Sequence, residues 1–336
     1  MITDIHCHFV PDEFWRFASA RREFAITVKR RQHEDIDLDI RGMHFGLNTT
    51  FFDLDRQVAR MTRDGVARAV LSLATPFIDY RLDAALAVEA AAAFNDGLAA
   101  AIARDRVRPF LESGSLGPRF MGWAMLPMQD PEAAARELAR CVTSHGFVGG
   151  HIASNVGGVY LHDPSFTPIF AAATDLGVPL FVHPADPLGR DRTREYELTV
   201  VAGYLFDTTV NVLKMICSGF LDRWPALRLV CAHGGAFGPA LRARMQREID
   251  TNPELRRTLQ RPVADCLRQL WVDSIVFEPA MLRYLTEVLP ADRVLLGSDA
   301  PFPLGEPDPV AFVRGALAPG AADLVLARNF ERLIAG

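Results

Sequence analysis

The stretch Val178-Pro179-Leu180-Phe181-Val182-His183 is a short apolar run that ends on a histidine. A run of this length without polar alternation is typical of a parallel strand that is buried on both faces. Seven other stretches have the same character, and longer amphipathic or alanine-rich segments separate them. The predicted strands are Ile2–Ile5, Ala67–Leu73, Met121–Leu126, Phe147–Ile152, Val178–Val182, Leu227–Cys231, Leu270–Val272 and Arg293–Leu296.

Eight strands that alternate with helices predict an α/β fold, and specifically a (β/α)8 TIM barrel. A doubly wound parallel sheet is the alternative, because the strand count alone fits both folds. The first strand, however, is not followed by a Gly-x-Gly-x-x-Gly motif, and the chain has no Gly-x-x-x-x-Gly-Lys-Ser/Thr motif. No nucleotide-binding signature therefore supports the doubly wound sheet.

Two stretches interrupt the alternation of strands and helices. Residues 9–55 place a long, charged and weakly periodic segment after the first strand, and residues 188–197 form a polar loop after the fifth. In a barrel both segments leave from the C-terminal face, where long loops form lids and pockets. We therefore predict that residues 1–336 form a single barrel domain and that residues 9–55 are a lid inserted into it.

Composition and charge exclude several classes of protein. Of the 336 residues, 49% are hydrophobic and 23% are charged, which excludes a disordered chain. The net charge of −5, with no basic cluster, argues against nucleic acid or an anionic membrane as partner. The five cysteines show no Cys-x-x-Cys spacing, and we find neither a signal peptide nor an apolar run of ~18 residues. We expect a cytoplasmic protein that binds neither nucleic acid nor membrane.

Polar residues that could bind a metal stand at the ends of four predicted strands. His6 and His8 are two positions apart, so both imidazoles point to the same side of the first strand. His183, His233 and Asp299 end the fifth, sixth and eighth strands. Each residue alone could simply cap a strand, but all five converge on the mouth of a barrel, which favours a metal or catalytic site.

The sequence around these positions resembles the amidohydrolase superfamily, and within it the aminocarboxymuconate semialdehyde decarboxylase family. The resemblance covers nearly the whole barrel, is strongest from about Val178 to Glu306, and fades in the insertion. It is carried by the His-x-His pair and by the strings Phe181-Val182-His183-Pro184-Ala185-Asp186, Ala232-His233-Gly234-Gly235, Trp271-Val272-Asp273-Ser274 and Arg293-Val294-Leu295-Leu296-Gly297-Ser298-Asp299-Ala300-Pro301-Phe302-Pro303-Leu304-Gly305-Glu306.

The resemblance implies that His6, His8, His183 and Asp299 bind a metal and that His233 acts beside it as the acid/base. Asp299 would also serve catalysis by carrying a proton. Three imidazoles and one carboxylate suit Zn²⁺, with Mn²⁺ or another divalent cation as the alternative.

The lysine content bears on the number of metals. Binuclear members of the superfamily bridge two metals with a carboxylated lysine on the fourth strand. The only two lysines here, Lys29 and Lys214, do not lie on that predicted strand. We therefore expect one metal per chain.

The resemblance also implies contacts to a small-molecule carboxylate substrate. An arginine after the sixth strand reaches the substrate across a homodimer interface in the family, and the matching position is Arg244, with Arg242 as the alternative. A second family arginine lies in the insertion, where His44 stands here with Arg41 nearby. The tryptophan that follows the fifth-strand His-Pro pair is replaced by Ala185. These departures concern substrate contacts and leave the metal ligands intact.

Other histidines and one aromatic residue complete the candidates. His151 on the fourth strand either faces the mouth and touches substrate or is a buried core histidine. Phe302 is predicted to line the substrate site, with ordinary packing as the alternative. His33, His145 and His162 have no convergent partners, and we interpret them as surface or turn residues.

We predict a metal-dependent non-oxidative decarboxylase, a carboxy-lyase acting on an unsaturated or aromatic carboxylic acid. A hydrolase or hydratase of the same architecture is the alternative, because both chemistries need the same five residues. A metal-binding or scaffold protein without activity would not need a complete ligand set with an acid/base beside it.

Overall fold

The computed structural model describes residues 1–32, 35–106, 118–259 and 261–335, so that His33 lies outside the described part. Its strands are β1 Thr3–Phe9, β2 Ile26–Gln32, β3 Asp35–Ile40, β4 Met43–Leu47, β5 Arg68–Leu73, β6 Phe120–Met125, β7 Gly149–Ala153, β8 Asn155–Val156, β9 Val159–Tyr160, β10 Leu180–His183, β11 Leu229–Cys231, β12 Trp271–Asp273 and β13 Val294–Leu295.

Eight of these strands form one parallel sheet in the order β1-β5-β6-β7-β10-β11-β12-β13. The last strand returns to the first, because the Ile5 amide donates to the Leu296 carbonyl at 2.9 Å and Cys7 forms a β-bridge with Ala300. The sheet thereby closes into a barrel of eight parallel strands. The predicted (β/α)8 fold is confirmed.

Helices lie between the barrel strands and cover them. They are α1 Asp12–Ser19, α2 Leu54–Asp64, α3 Ala84–Arg106, α4 Pro131–Arg140, α5 Thr167–Asp175, α6 Tyr204–Cys217, α7 Phe220–Arg223, α8 Gly238–Thr251, α9 Pro253–Thr258, α10 Val263–Leu267, α11 Pro279–Val288, α12 Pro309–Ala316, α13 Pro319–Asp323 and α14 Asn329–Ala335.

Local sequence signals explain where several of these helices begin and end. The Asp53 carboxylate accepts the Asp55 and Arg56 amides and so caps α2, which ends at Gly65 with φ of +70°. Asp130 caps α4 in the same way, directly before a proline in the first turn. The Glu278 carboxylate accepts the Ala280 amide and caps α11, which has a proline in its first turn.

The first strand is longer than the sequence predicted. We expected Ile2–Ile5, but β1 continues to Phe9 and contains both histidines. The strand continues because Cys7 and Phe9, which alternate with the histidines, are buried in the hydrophobic core outside the barrel. The His-x-His pair therefore belongs to the strand itself, where the backbone fixes its direction.

The insertion contains a small sheet that we did not predict from the sequence. After α1, strands β2, β3 and β4 form a three-stranded antiparallel sheet. Leu38, Ile40 and Leu47 are buried, but neighbouring positions are only half-buried or exposed. The stretch Asp35-Ile36-Asp37-Leu38-Asp39-Ile40 alternates strictly between charged and apolar residues, so β3 carried a period of two that the prediction overlooked. The proposed role of residues 9–55 as a lid stays a prediction.

Two helical segments are long and apolar enough to cross a membrane by length and composition alone. They span 84–105 and 195–217, and 50% and 44% of their apolar windows are buried inside the protein. Core helices of barrels meet the same criterion, so these segments are weak evidence for a membrane span.

Candidate metal centre

Four side chains from three parts of the barrel converge at its C-terminal mouth. His6 and His8 come from β1, His183 is the last residue of β10, and Asp299 follows β13. One ligand atom from each lies within 4.8 Å of the others, and all four residues are buried. The structure thus brings together every metal ligand that the resemblance implied.

Each imidazole is oriented by a hydrogen bond at its Nδ1 atom. His6 Nδ1 lies 2.7 Å from Asp273 Oδ2, and His183 Nδ1 lies 2.8 Å from the Pro184 carbonyl oxygen. His8 Nδ1 lies 3.3 Å from the Leu73 carbonyl oxygen. These contacts leave the Nε2 atoms directed toward the common centre, which is how histidines are prepared to bind a metal.

Asp299 is held where the last strand meets the first. Its amide donates to the His6 carbonyl at 2.8 Å, and its backbone has a φ of +60°. Its Oδ1 atom lies 3.0 Å from His8 Nε2 and 3.4 Å from His6 Nε2. A non-glycine residue in this left-handed conformation is strained, and such strain is concentrated at functional sites.

Burial and neighbouring charges favour neutral imidazoles beside an ionised carboxylate. Burial holds the pKa of His183 well below its usual range, and it also lowers the pKa of His8. Burial alone would raise the pKa of Asp299, but three neighbouring imidazoles outweigh it and hold that pKa well below its usual range. Neutral imidazole and carboxylate are the forms that bind metal.

His6 differs from the other ligands because it faces two carboxylates. Burial favours its neutral form, but the neighbouring carboxylates of Asp273 and Asp299 raise the pKa of His6 to about 10. The position between these two carboxylates is therefore a site for positive charge. A proton occupies it when no metal is bound.

The donor set fits a divalent cation. The Nε2 atoms of His6 and His183 are buried and have no hydrogen-bond partner among the described residues. Leaving such groups unpaired costs about 1–3 kcal/mol each. A cation among three imidazoles and a carboxylate would relieve both of them, and this set suits Zn²⁺ or a related divalent ion.

His233 lies beside the cluster on a short turn after β11. Its ring centroid is 4.9 Å from that of His183, and its Nε2 atom is 3.9 Å from Asp299 Oδ2. Its side chain is 12% exposed, so it remains accessible from the mouth. This position next to the ligands, with an accessible ring, is what an acid/base requires.

Asp273 is a site residue whose role the sequence did not predict. It ends β12, accepts the Gly234 amide at 2.9 Å through Oδ1, and contacts His6 through Oδ2. It therefore connects a metal ligand to the turn that carries His233. Gly297 permits this close packing, because a Cβ atom there would lie 3.0 Å from Asp273 Cβ and 3.1 Å from His6 Cβ.

A signal for Asp273 was present in the sequence. The string Trp271-Val272-Asp273-Ser274 ends an apolar strand on a carboxylate, as the ligand strands end on polar residues. This string supported the family resemblance, but it did not show which side chain Asp273 contacts.

A buried polar network supports the loop that carries Asp299. Asp4 accepts the Ser298 hydroxyl at 2.6 Å and the Ser298 amide at 3.1 Å. Arg60 of α2 lies 3.4 Å from the same Asp4 carboxylate. The network ties β1, the loop after β13 and α2 together behind the metal ligands, which fixes the position of the carboxylate ligand.

Two of the predicted substrate contacts lie next to the cluster. The Phe302 ring is 5.1 Å from His8 and 4.8 Å from Phe51. His151 on β7 lies 6.0 Å from the ring of His183, is 1% exposed, and has no hydrogen-bond partner for either ring nitrogen among the described residues. A polar group brought by a ligand or by water could satisfy it.

The other predicted substrate contacts lie at the surface of this chain. The His44 side chain on β4 is 64% exposed and faces Asp39 at 3.4 Å. Arg244 is exposed on α8, whereas Arg242 donates to the Tyr284 hydroxyl at 2.7 Å. His145 pairs with Asp96 at 2.9 Å near the surface. The structure does not bring His44 or Arg244 to the cluster, and their roles stay predictions.

Comparisons with known proteins agree with this geometry. The profile of the amidohydrolase family matches residues 3–333. A 2-amino-3-carboxymuconate-6-semialdehyde decarboxylase from Dictyostelium discoideum is 30% identical over 308 residues, covering 90% of this chain and 82% of that protein. A gamma-resorcylate decarboxylase from Polaromonas sp. is 32% identical over 264 residues, covering 74% of this chain and 77% of its own.

The fold is also that of a solved decarboxylase. The structure of a dihydroxybenzoic acid decarboxylase from Polaromonas sp., with bound manganese and the inhibitor 2-nitroresorcinol, superposes with a TM-score of 0.77. It is 24% identical and covers 100% of this chain and 97% of its own.

Proposed function

The chain belongs to the amidohydrolase family, and we propose that it is a metal-dependent carboxy-lyase that removes CO₂ from an unsaturated or aromatic carboxylic acid without an oxidant. The observation that carries this proposal is the buried set His6, His8, His183 and Asp299, with His233 at its open side. The named relatives above are decarboxylases, which favours this reaction over hydrolysis or hydration.

We propose Zn²⁺ as the metal, at one ion per chain. Three imidazoles and one carboxylate are a typical zinc donor set, and Mn²⁺ is the alternative because a structural neighbour binds it. Within the described residues a single cluster of this kind is found, and neither lysine lies on β7. When bound, the cation supplies a Lewis acid that withdraws electron density from the substrate.

The chain's own residues must then supply one proton to the carbon that loses CO₂. Decarboxylation breaks the bond between the carboxyl carbon and its neighbour, leaves the electron pair on that neighbour, and adds a proton there as CO₂ departs. His233 and Asp299 face each other at 3.9 Å and can hold and deliver this proton. Phe302 lies against His8, where it can pack against an unsaturated or aromatic substrate and exclude water.

We further propose a homodimer in which Arg244 reaches the partner's substrate. Exposed apolar side chains on α6, at the residue before α8 and in the helical turn 199–203 that precedes α6 support an interface on this surface. They include Val201 at 55% exposure, and Phe206 and Phe237, whose rings lie 5.7 Å apart. Sedimentation velocity tests this proposal, since a fully active monomer would exclude a role for Arg244 across an interface.

We also propose that residues 9–55 form a lid within a single barrel domain and that the protein is cytoplasmic. Arg190, in the loop after β10, donates to the Arg41 carbonyl at 3.2 Å and so joins that loop to the insertion, as a lid within a single domain requires. All five cysteines are free, which supports a reducing, cytoplasmic location.

The decisive experiment measures CO₂ release. Hydroxybenzoic and muconate-type acids are incubated with zinc-loaded or manganese-loaded protein, and CO₂ and the protonated product are quantified. We expect release from at least one acid and a loss of at least ~10²-fold in His233→Ala. His145→Ala, which changes a histidine far from the cluster, is the matched control. Substrate consumption with incorporation of water and no CO₂ would instead identify a hydrolase or hydratase.

A further inference from the structure

A buried carboxylate on α6 is surrounded by neutral hydrogen-bond donors. Asp207 is 1% exposed, and each hydrogen bond that it accepts from the described residues comes from a neutral group. Burying a carboxylate is costly unless its oxygens are hydrogen-bonded, so these donors are needed to keep it there. The mechanism proposed above does not use Asp207.

Four groups donate to the Asp207 carboxylate. The Tyr160 hydroxyl donates to Oδ1 at 2.9 Å, and the Leu188 amide donates to the same oxygen at 3.2 Å. The Asn155 side-chain amide donates to Oδ2 at 2.9 Å, and the Ser154 hydroxyl also donates to Oδ2. A carboxylate can accept from all four because both of its oxygens are acceptors, whereas a neutral amide offers one oxygen only.

These donors come from three segments that lie apart in the sequence. Ser154 directly follows β7 and Asn155 begins β8, Tyr160 ends β9, and Leu188 lies in the loop after β10. Asp207 therefore joins α6 to the ends of two neighbouring barrel strands, β7 and β10. We call Asp207 and these four donors the Asp207 cluster.

The Asp207 cluster also holds the backbone on both sides of Pro184. The Ser154 amide donates to the carbonyl of the ligand His183 at 3.2 Å, before the proline. The Asn155 side-chain amide donates to the Asp186 carbonyl at 2.9 Å, after it. Pro184 is thus fixed between two backbone positions that the cluster contacts.

The position of Pro184 matters because its carbonyl orients the ring of His183. His183 Nδ1 lies 2.8 Å from the Pro184 carbonyl oxygen, and this contact leaves Nε2 directed toward the common centre of the ligands. A shift of this carbonyl would therefore turn the imidazole away from the centre.

The other two ligand histidines have orienting groups that the barrel holds by itself. His6 contacts the carboxylate of Asp273, the last residue of β12. His8 contacts the carbonyl of Leu73, which pairs with Phe9 in the ladder between β5 and β1. β10, in contrast, ends at His183, so Pro184 lies beyond its ladder. This carbonyl alone depends on a loop.

We propose that Asp207 is a positioning residue for the metal ligand His183 and acts by fixing the backbone around Pro184. This inference rests on the metal centre of the proposed function and extends it to a helix that the site does not otherwise use. Asp207 holds Ser154, Asn155 and the Leu188 amide, these groups hold the loop, and the loop holds the imidazole. Asp207 itself contacts neither the cation nor the substrate.

Binding of Co²⁺ tests this role independently of turnover. Co²⁺ binds to the same nitrogen and oxygen ligands as Zn²⁺, and its visible absorption bands report the geometry of those ligands. Asp207→Asn keeps the size of the side chain but replaces one acceptor oxygen with a donating amide. We expect the affinity for Co²⁺, measured by competition with a chelator, to fall about 3- to 10-fold and the absorption bands to shift. The effect is smaller than for a group that contacts the ligand directly, because Asp207 acts through the backbone.

A second variant and a matched control accompany this change. Asn155→Ala removes the link between Asp207 and the Asp186 carbonyl, so it should lower the affinity in the same direction and shift the same bands. Asn211→Ala is the control, because Asn211 is fully buried one turn further along α6 and accepts the Leu161 amide at 3.2 Å, outside the loop after β10. It should lower the unfolding temperature and leave Co²⁺ affinity and absorption unchanged.

The outcomes separate this inference from the proposed function. If Asp207→Asn and Asn155→Ala bind Co²⁺ with the affinity and spectrum of the unmodified protein, and only their unfolding temperatures fall, Asp207 has a structural role alone and the inference is overturned. CO₂ release by the unmodified protein would then leave the decarboxylase intact. Weakened binding and shifted bands in both variants, without CO₂ from any acid, would support the positioning role and overturn the decarboxylase.

Discussion

The metal cluster and the wall that faces it are built from different parts of the chain. The ligands stand on barrel strands or directly after them, and the parallel ladder and hydrogen bonds such as His6 to Asp273 fix their directions. The facing wall comes from the small sheet of the insertion and from the loop after β10, joined by Arg190 and Arg41. The comparison indicates that the barrel strands hold the metal-binding side chains, whereas the facing wall comes from segments added to the barrel.

The largest expected effect is the loss of a ligand from the strand side. His183→Ala should abolish bound metal and lower activity by at least ~10³-fold, because the three donors that remain cannot enclose the ion. Metal content by mass spectrometry and CO₂ release check this. His145→Ala is the control, and a His183→Ala protein that retains a full equivalent of metal would exclude His183 as a ligand.

A smaller effect is expected for the loss of Asp273, which ends β12 and contacts the ligand His6. Asp273→Asn keeps the size of the side chain but removes the charge that orients His6. We expect a 10- to 100-fold loss of metal affinity or activity, as is usual for such supporting carboxylates. Competition with a chelator measures the affinity. Asp265→Asn, at an exposed carboxylate paired with Arg268, should leave it unchanged.

Metal binding should release a proton from the same region. Burial lowers the pKa of His6, but the carboxylates of Asp273 and Asp299 outweigh it and raise that pKa to about 10, so His6 is protonated at pH 7 in the metal-free protein and must lose this proton to become a ligand. Metal affinity should therefore rise about tenfold per pH unit between pH 7 and 9. Calorimetry in two buffers of different ionisation enthalpy counts the protons, and a count near zero would contradict this assignment.

The smallest expected effect comes from Phe302, which lies between the ligand His8 and Phe51 of the insertion. Phe302→Leu keeps an apolar side chain but loses the ring that lies against His8. We expect KM for an aromatic acid to rise roughly 3- to 10-fold, with metal content unchanged, because ring contacts contribute about 0.5–1.5 kcal/mol. An equal loss of metal would show that Phe302 supports the ligands instead of the substrate.

The same division explains how much could be predicted from the sequence. Apolar runs that end on His6, His183 and Asp299 gave both the barrel and its ligands, because a parallel strand that is buried on both faces leaves few places for a polar residue. The strand positions were correct to within a few residues. The main exception was β1, which continues through the His-x-His pair.

Other features needed the folded chain. The β2–β4 sheet is different, because the alternation of charged and apolar residues in β3 was visible in the sequence and was overlooked. The turn at Arg41 has a left-handed backbone and is joined to the loop after β10 by Arg190, 149 positions away. No local pattern encodes such a contact. Asp273 lies between these cases, since its place at a strand end was visible but its partner was not.

The separation of His8 and Asp299 by 291 positions has a consequence for how the protein is made. The β1 histidines leave the ribosome long before the carboxylate, so the binding centre cannot be completed until all the strands between them have been synthesised. The final barrel strand, Val294–Leu295, is also one of the shortest. A cation bound at this junction would hold the last strand of the barrel, β13, against the first, β1.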